Sequence, residues 1–264
     1  MTFGIIVAAG GEGQRAGTDK LWEELLGKPL LSYTLTAAAA TAPAMVVVAA
    51  PPARHEDIRR LWDELGGEAF PLGLVPGGSS RQESVGHALA AMGEVDVVVV
   101  QDGARPLCTA ALLVAAAQLA KEHGAVTAAV PVADSVAFLE GDGALAYRER
   151  EGLFLVQTPQ AFGTGLLRQA HERASKEGWA ADDDAQLVRQ CGHKVAFLLG
   201  ERENIKVTYA VDFAVAAALL QLQQEGVAPQ RFPAKQAGKQ WTLSDGGDGE
   251  SSVGTTRKHD GQVR

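Results

Sequence analysis

The chain has 264 residues, 46% of them hydrophobic, and a formal net charge of −8. That length and apolar share suffice for a full core, whereas the acidic balance argues against a general nucleic-acid surface, whose affinity rests on neutralising phosphates. Two cysteines, Cys108 and Cys191, stand outside any CxxC pair, so the reading is a reducing, cytoplasmic setting without a disulfide framework.

No basic leader precedes the first apolar run, and Pro43 interrupts the apolar stretch 37–50, so neither a signal peptide nor a membrane span is expected. Ile5–Ala8 is a short continuous apolar run, the pattern of a buried strand. Gly10, Gly11, Gly13 and Gly17 follow, with Arg15 and Lys20 among them. A glycine-rich loop after a strand lets backbone N–H groups form an anion-binding concavity, and two cations reinforce it. A nucleotide is the expected guest. The GxGxxG spacing fits only with Ala16 in the last place, and no Gly-Lys-Ser/Thr triplet marks a P-loop.

Pro29–Ala37 reads as a helix with proline in its first turn, and Met45–Ala49 as the next strand, completing a β-α-β unit. A polar helix is expected at 55–65 and a short strand at 72–75. Pro76-Gly77-Gly78-Ser79-Ser80-Arg81 then forms a second glycine loop opening a helix that runs to Ala91. Val95–Val100 is the most apolar strand and ends at Gln101-Asp102-Gly103-Ala104-Arg105-Pro106. Strands alternating with helices imply an α/β fold, a mostly parallel sheet with helices on both faces. Ligands of such sheets sit beyond the carboxyl ends of the strands, where the two glycine loops and Asp102–Arg105 all fall.

Further along, a helix at 109–122 and a strand at 125–130 precede a hairpin or arm, 134–150, built on Asp134-Ser135-Val136 and the Gly141-Asp142-Gly143 turn. Asp182, Asp183 and Asp184 stand before a helix and read first as cap and dipole partners, with metal ligation the lesser role. A strand at 194–199 leads to Asn204-Ile205-Lys206-Val207-Thr208 and a closing helix at 211–224. The domain reading is therefore 1–226. Residues 227–264, poor in aliphatic side chains, are read as a disordered tail. The tail has six Lys/Arg and four Asp/Glu, so the total of −8 leaves −10 on the body.

An ordered series of these residues resembles one family. It runs Ala8-Ala9-Gly10 with Arg15 and Lys20, Gly77-Gly78 with Arg81 and Ser84, Asp102-Gly103-Ala104-Arg105-Pro106, and Asp134-Ser135. It continues through Arg150 with Thr158-Pro159-Gln160, Asp183-Asp184 and Asn204–Thr208. Over about residues 3–222 the chain resembles the 2-C-methyl-D-erythritol 4-phosphate cytidylyltransferases. The resemblance implies a Rossmann-like sheet of the nucleotidyltransferase type with a protruding β-arm. The implied reaction transfers CMP from CTP to the polyol phosphate with release of pyrophosphate, in non-mevalonate isoprenoid biosynthesis.

By resemblance, Arg15, Lys20 and Lys206 are catalytic, Ala8, Ala9, Gly10, Gly78, Ser84 and Gly103 bind the nucleotide, and Asp102 holds Mg²⁺ or another divalent cation. Arg105, Ser135, Arg150, Thr158 and Lys206 meet the acceptor, and a homodimer forms through the arm. Arg150 also lies in an alternating charge run, so a solvated residue is the lesser alternative reading. Against the family's usual pattern, Asp19 replaces proline, Gln101 histidine, and Ser135 and Asp182 threonine; the first loop carries an extra residue. The Gly-Thr-Asp-Lys run is similar to the guanylyltransferases of molybdenum-cofactor assembly, which lack the later series. Ribitol 5-phosphate or another polyol-phosphate cytidylyltransferase shares nearly every motif, and a noncatalytic nucleotide-binding regulator is the alternative of another class. Loss of Lys20, Asp102 or Lys206 would mark the latter, and all three are present.

Overall fold

Strand β1 (Phe3–Ala8) lies inside a seven-stranded sheet, with strands on both sides. The computed structural model describes residues 1–10, 19–141 and 143–226, so Arg15, most of the first glycine loop and the 227–264 tail lie outside the described residues.

In chain order the elements are β2 (Glu24–Leu25), β3 (Lys28–Pro29), α1 (Leu30–Ala39), β4 (Met45–Ala50), α2 (His55–Glu64), β5 (Leu72–Pro76), α3 (Arg81–Ala91) and β6 (Val97–Asp102). They continue as α4 (Ala110–His123), β7 (Ala125–Pro131), β8 (Val136–Leu139), β9 (Leu145–Arg148), β10 (Phe154–Gly163), α5 (Thr164–Glu177), α6 (Asp184–Gln190), β11 (Ala196–Leu199) and α7 (Ala210–Gln224). The large sheet has the order β11-β7-β10-β6-β1-β4-β5. All neighbours pair in parallel except β10, which is antiparallel to both β6 and β7. The mostly parallel sheet expected from the sequence is present, with this one reversal.

The run of valines and isoleucines in β1, β4 and β6 is explained by the two-sided burial of such strands. Ile5, Val7, Val46, Val48, Val97 and Val99 pack on one face with Leu35 of α1, Ile58 of α2, Leu113 of α4 and Leu220 of α7. Their alternates Ile6, Val47, Val98 and Val100 pack on the other with Val85 of α3, Leu167 of α5 and Leu187 of α6. Period-two alternation assigns each side chain to one of two cores, and both are apolar.

Two small features depart from the sequence reading. Pro29, expected inside the first helical turn, instead closes a two-strand pair with Glu24–Leu25 and caps α1 from outside. The segment after Arg150 is a ten-residue strand with a register shift between Val156 and Gln160, around the cis Thr158-Pro159 bond. β8 and β9 form the expected hairpin and pair only with each other. Among the described residues no helix is long and apolar enough to cross a membrane.

Candidate active site

The carboxyl ends of β1, β4, β5 and β6 end side by side, and backbone hydrogen bonds tie their loops together. Ala9 N–H donates to Ala49 O at 2.9 Å, Gly77 N–H to Ala50 O at 3.0 Å, and Gly103 N–H to Ala8 O at 3.0 Å. The two glycine loops meet backbone to backbone: a Cβ on Gly10 would lie 2.7 Å from Gly77 Cα, and one on Gly77 would lie 2.8 Å from Gly10 Cα. Only glycine permits that approach. Ser80 caps α3, its Oγ accepting from Glu83 N–H at 3.0 Å. One turn later the buried Ser84 hydroxyl accepts from Gly78 N–H and donates to Ser80 O, each at 2.9 Å.

Residues beside these loops line a crevice of about 1170 Å³: Ala8, Ala9, Ser80, Arg81 and Asp102, joined by Lys20 and Lys206. Asp102 ends β6 in register with Ala8. Its Oδ1 accepts from Arg81 Nε at 3.0 Å, and its Oδ2 lies 3.0 Å from Lys206 Nζ and 3.6 Å from Arg105 Nε. Burial pushes the Asp102 carboxyl up, but the Arg81, Lys206 and Arg105 cations together hold it below the ordinary carboxylate range. Lys20 opens a tight 3₁₀ turn, Lys20–Trp22, beside the same wall. Burial first, and then the Lys206 cation, lower its ammonium below the ordinary lysine value against the pull of Asp102, Asp212 and Glu23. The crevice therefore gathers positive charge around the Asp102 carboxylate, an arrangement suited to a polyphosphate.

The model of the 2-C-methyl-D-erythritol 4-phosphate cytidylyltransferase family matches residues 3–222. The chain belongs to that family. A curated member from Pelotomaculum thermopropionicum is 40% identical over 228 residues, covering 84% of this chain and 96% of that protein. Another from Thermosynechococcus vestitus is 38% identical, covering 84% and 96%. The crystal structure of 2-C-methyl-D-erythritol 4-phosphate cytidylyltransferase from Thermus thermophilus is similar with a TM-score of 0.70 at 34% identity, covering 84% of this chain and all of that one. As a cytidylyltransferase the chain is an enzyme of the nucleotidyltransferase class, which removes the noncatalytic reading.

Within the cytidylyltransferase crevice the expected residues divide into three groups. Ala8, Ala9, Lys20, Asp102 and Lys206 line it, while Gly10, Gly78 and Gly103 lie in the adjoining, tightly packed loops and are not among its lining residues. Arg105, Thr158 and Ser84 are buried beneath the wall instead. Arg105 Nη1 donates to Asn204 O at 2.7 Å, and Thr158 Oγ1 accepts from Asp102 N–H at 3.0 Å. Asn204, fully buried, donates from Nδ2 to Thr158 O at 2.8 Å, and Val207 N–H donates to Ala104 O at 2.9 Å. Arg105, Thr158 and Asn204 thus bracket Asp102 and fix the turn that carries Lys206. Ser135 and Arg150 lie exposed on and beside the arm, away from this crevice; Arg150 Nη1 donates to Ala133 O at 2.5 Å.

Three contributors are not legible as site residues in the chain. Arg81 figures only as part of a motif, Asp184 as a cap, and His171 not at all, yet Arg81 Nη1 donates to Asp184 Oδ2 at 2.7 Å and His171 Nε2 to Asp184 Oδ1 at 2.9 Å. Asp183 does cap α6, accepting from Gln186 N–H at 2.8 Å. Asp19, where the family usually has proline, accepts from Arg54 Nε at 2.8 Å, and the Arg54 guanidinium lies 4.9 Å over the Trp22 ring. Asp182 lines the crevice.

Proposed function

We propose that the crevice carries the family reaction, transfer of CMP from CTP to 2-C-methyl-D-erythritol 4-phosphate with release of pyrophosphate, in isoprenoid biosynthesis. The observation that supports it most is the meeting of Lys20, Asp102 and Lys206, from three distant segments, in one crevice. An acceptor phosphate oxygen attacks the α-phosphorus of CTP in line, a P–O bond forms, and the bond to the bridging oxygen of the pyrophosphate breaks. Such a transfer needs positioning and charge stabilisation rather than a protein nucleophile. Lys20 and Lys206 bring cations to the developing charge, and Arg15, outside the described residues, adds a third. Ala8, Ala9, Gly10, Gly78 and Gly103 present backbone to the nucleotide, and Ser84 serves it by holding the Gly78 amide.

A divalent cation fits the donor set. Asp102 offers a carboxylate where the cations gather, and among the described residues no group of three His, Cys, Asp or Glu side chains could cage a metal. Mg²⁺ is commonly held in that way, by one or two carboxylates with phosphate oxygens and water completing its shell. When bound it neutralises phosphate charge and orients the oxygens. Asp102 would hold it, and Lys206, 44% exposed in its side chain, can leave Oδ2 for substrate.

The acceptor groups Ser135 and Arg150 point to a homodimer in which the arm of one copy completes the crevice of another. Phe138, Leu139, Leu145 and Tyr147 leave 43%, 70%, 60% and 72% of their surface exposed on the hairpin, and a two-stranded hairpin alone is marginal in water. Arg105 and Thr158 act on the acceptor through the wall they brace. A cytoplasmic location is proposed on the composition alone. The deciding assay is pyrophosphate release from CTP and Mg²⁺ with methylerythritol 4-phosphate, ribitol 5-phosphate or no acceptor. Release with methylerythritol phosphate, lost in Lys20→Ala and Asp102→Ala, supports the reading; preference for ribitol phosphate, or activity in both variants, overturns it.

A further inference from the structure

From Arg81 and Asp102, which line the crevice, a chain of charged groups runs back to Asp184 and His171, which are not among its lining residues. Arg81 is the first residue of α3, Asp184 the first of α6, and His171 lies in the third turn of α5. Asp184 is 1% exposed, and each of its oxygens has one charged or ring partner: Oδ2 takes Arg81 Nη1 at 2.7 Å and Oδ1 takes His171 Nε2 at 2.9 Å. The backbone is pinned as well, since Asp184 N–H donates to Gln160 Oε1 at 3.1 Å, and Gln160 Nε2 donates to Thr127 Oγ1 at 3.0 Å. From Arg81 the chain continues to Asp102 Oδ1 at 3.0 Å.

We propose that His171 is a positioning residue for Asp102, acting through Asp184 and Arg81. The geometry carries the argument. Arg81 faces two carboxylates at once, and its Nε and Nη1 are already committed, one to each. Its planar fork has a fixed geometry, so the direction of Asp184 sets the direction in which Nε meets Asp102. The imidazole holds Asp184 on the side away from Arg81. With that ring gone, Oδ1 is buried without its donor, an expensive state that the carboxylate relieves by turning Oδ1 toward Arg81 Nη2, which is buried and has no hydrogen-bond partner among the described residues. Closing that bidentate pair draws the guanidinium toward Asp184 and weakens its 3.0 Å bond from Nε to Asp102. The side chain that orients a metal-binding carboxylate from outside commonly matters about tenfold to a hundredfold in metal affinity or activity.

This inference rests on the reading of Asp102 as the metal-holding carboxylate, and the experiment separates the two. The full-length protein is titrated with Mn²⁺ in the presence of CTP, followed by the electron paramagnetic resonance of free Mn²⁺, alongside kcat and the KM values for CTP and acceptor. The set is wild type, Asp102→Asn, His171→Phe and His171→Gln. Wild-type binding that is lost in Asp102→Asn establishes the reading on which the inference stands. His171→Phe is then expected to weaken Mn²⁺ binding and lower kcat about tenfold with acceptor KM little changed. His171→Gln, whose amide keeps an N–H donor, restores both to within about threefold. Should the phenylalanine variant fail to fold, Asp184→Asn interrupts the same chain one step nearer and is expected to weaken Mn²⁺ to the same degree. Mn²⁺ affinity unchanged in the folded His171 and Asp184 variants overturns the proposal, as does a loss of activity that follows thermal stability and is not rescued by glutamine.

Discussion

Gly10→Ala tests how the close approach of the two glycine loops supports the proposed nucleotide floor. The added methyl would sit 2.7 Å from Gly77 Cα and 2.9 Å from Ser84 Oγ, whereas carbon atoms settle at roughly 3.5–4.0 Å. The loops must therefore part by about 1 Å. Neither is free to do so at no cost, because Ala9 and Gly77 each donate a backbone hydrogen bond to β4, at 2.9 and 3.0 Å. Overpacking of this kind costs about 1–3 kcal/mol, which for a domain of this size lowers the melting temperature by roughly 2–12 °C. A displacement of about 1 Å at a reacting centre can cost on the order of a hundredfold in rate, so kcat/KM for CTP should fall by about that factor. Gly165→Ala is the control, since nothing lies within 4 Å of its added methyl; in a helix it should raise stability by roughly 0.5–1 kcal/mol with activity intact. Pyrophosphate release and differential scanning calorimetry read both quantities. Wild-type kcat/KM for CTP in a folded Gly10→Ala protein would refute the account of the floor.

Lys206→Met keeps the stem and removes the ammonium 3.0 Å from Asp102; kcat should drop on the order of 10²-fold, with some loss of melting temperature because the buried carboxylate loses one of its cations, and a loss confined to KM would deny Lys206 a transition-state role. Asp102, held below the ordinary carboxylate range by Arg81, Lys206 and Arg105 against its burial, contributes stability that is fully present above about pH 4 and is lost as pH falls through its folded value. The melting-temperature gap between wild type and Asp102→Asn should therefore narrow below about pH 4, and a gap constant across the acid range would contradict this. Burial, with Glu201 nearby, pushes the Cys108 thiol up to about 12, so a thiol reagent at about pH 8 should modify Cys191 in the native protein and Cys108 only after denaturation; mass spectrometry of the labelled peptides decides it.

Much of this site could be read in the chain because its residue types announce their chemistry where they stand. Ala8–Gly10, Gly78 and Asp102 follow apolar runs whose strand character is unmistakable, and strand ends of a parallel sheet share one edge. The arrangement of the buried polar groups could not be read in the same way. Arg105 depends on Asn204, 99 residues away, and Arg81 on Asp184, 103 residues away; no local periodicity encodes such pairs. Arg105, Thr158 and Ser84 read from the chain as ligand contacts, and the structure adds that each also braces its neighbours, through Asn204, Asp102 and Gly78. The reversal of β10 was equally hidden, since a strand buried on both faces has the same apolar pattern in either direction.

Because one guanidinium is shared by Asp102 and Asp184, positions 81, 102 and 184 constitute a single mutational locus. Taking away Arg81 leaves two buried acids without their common counter-charge, while a second change that neutralises Asp184 returns part of what the first removed. Effects at these positions should be epistatic rather than additive. A variant library around the crevice gains by exchanging the three as a block, and single-site scans would rank each of them as intolerant for reasons that belong to the other two.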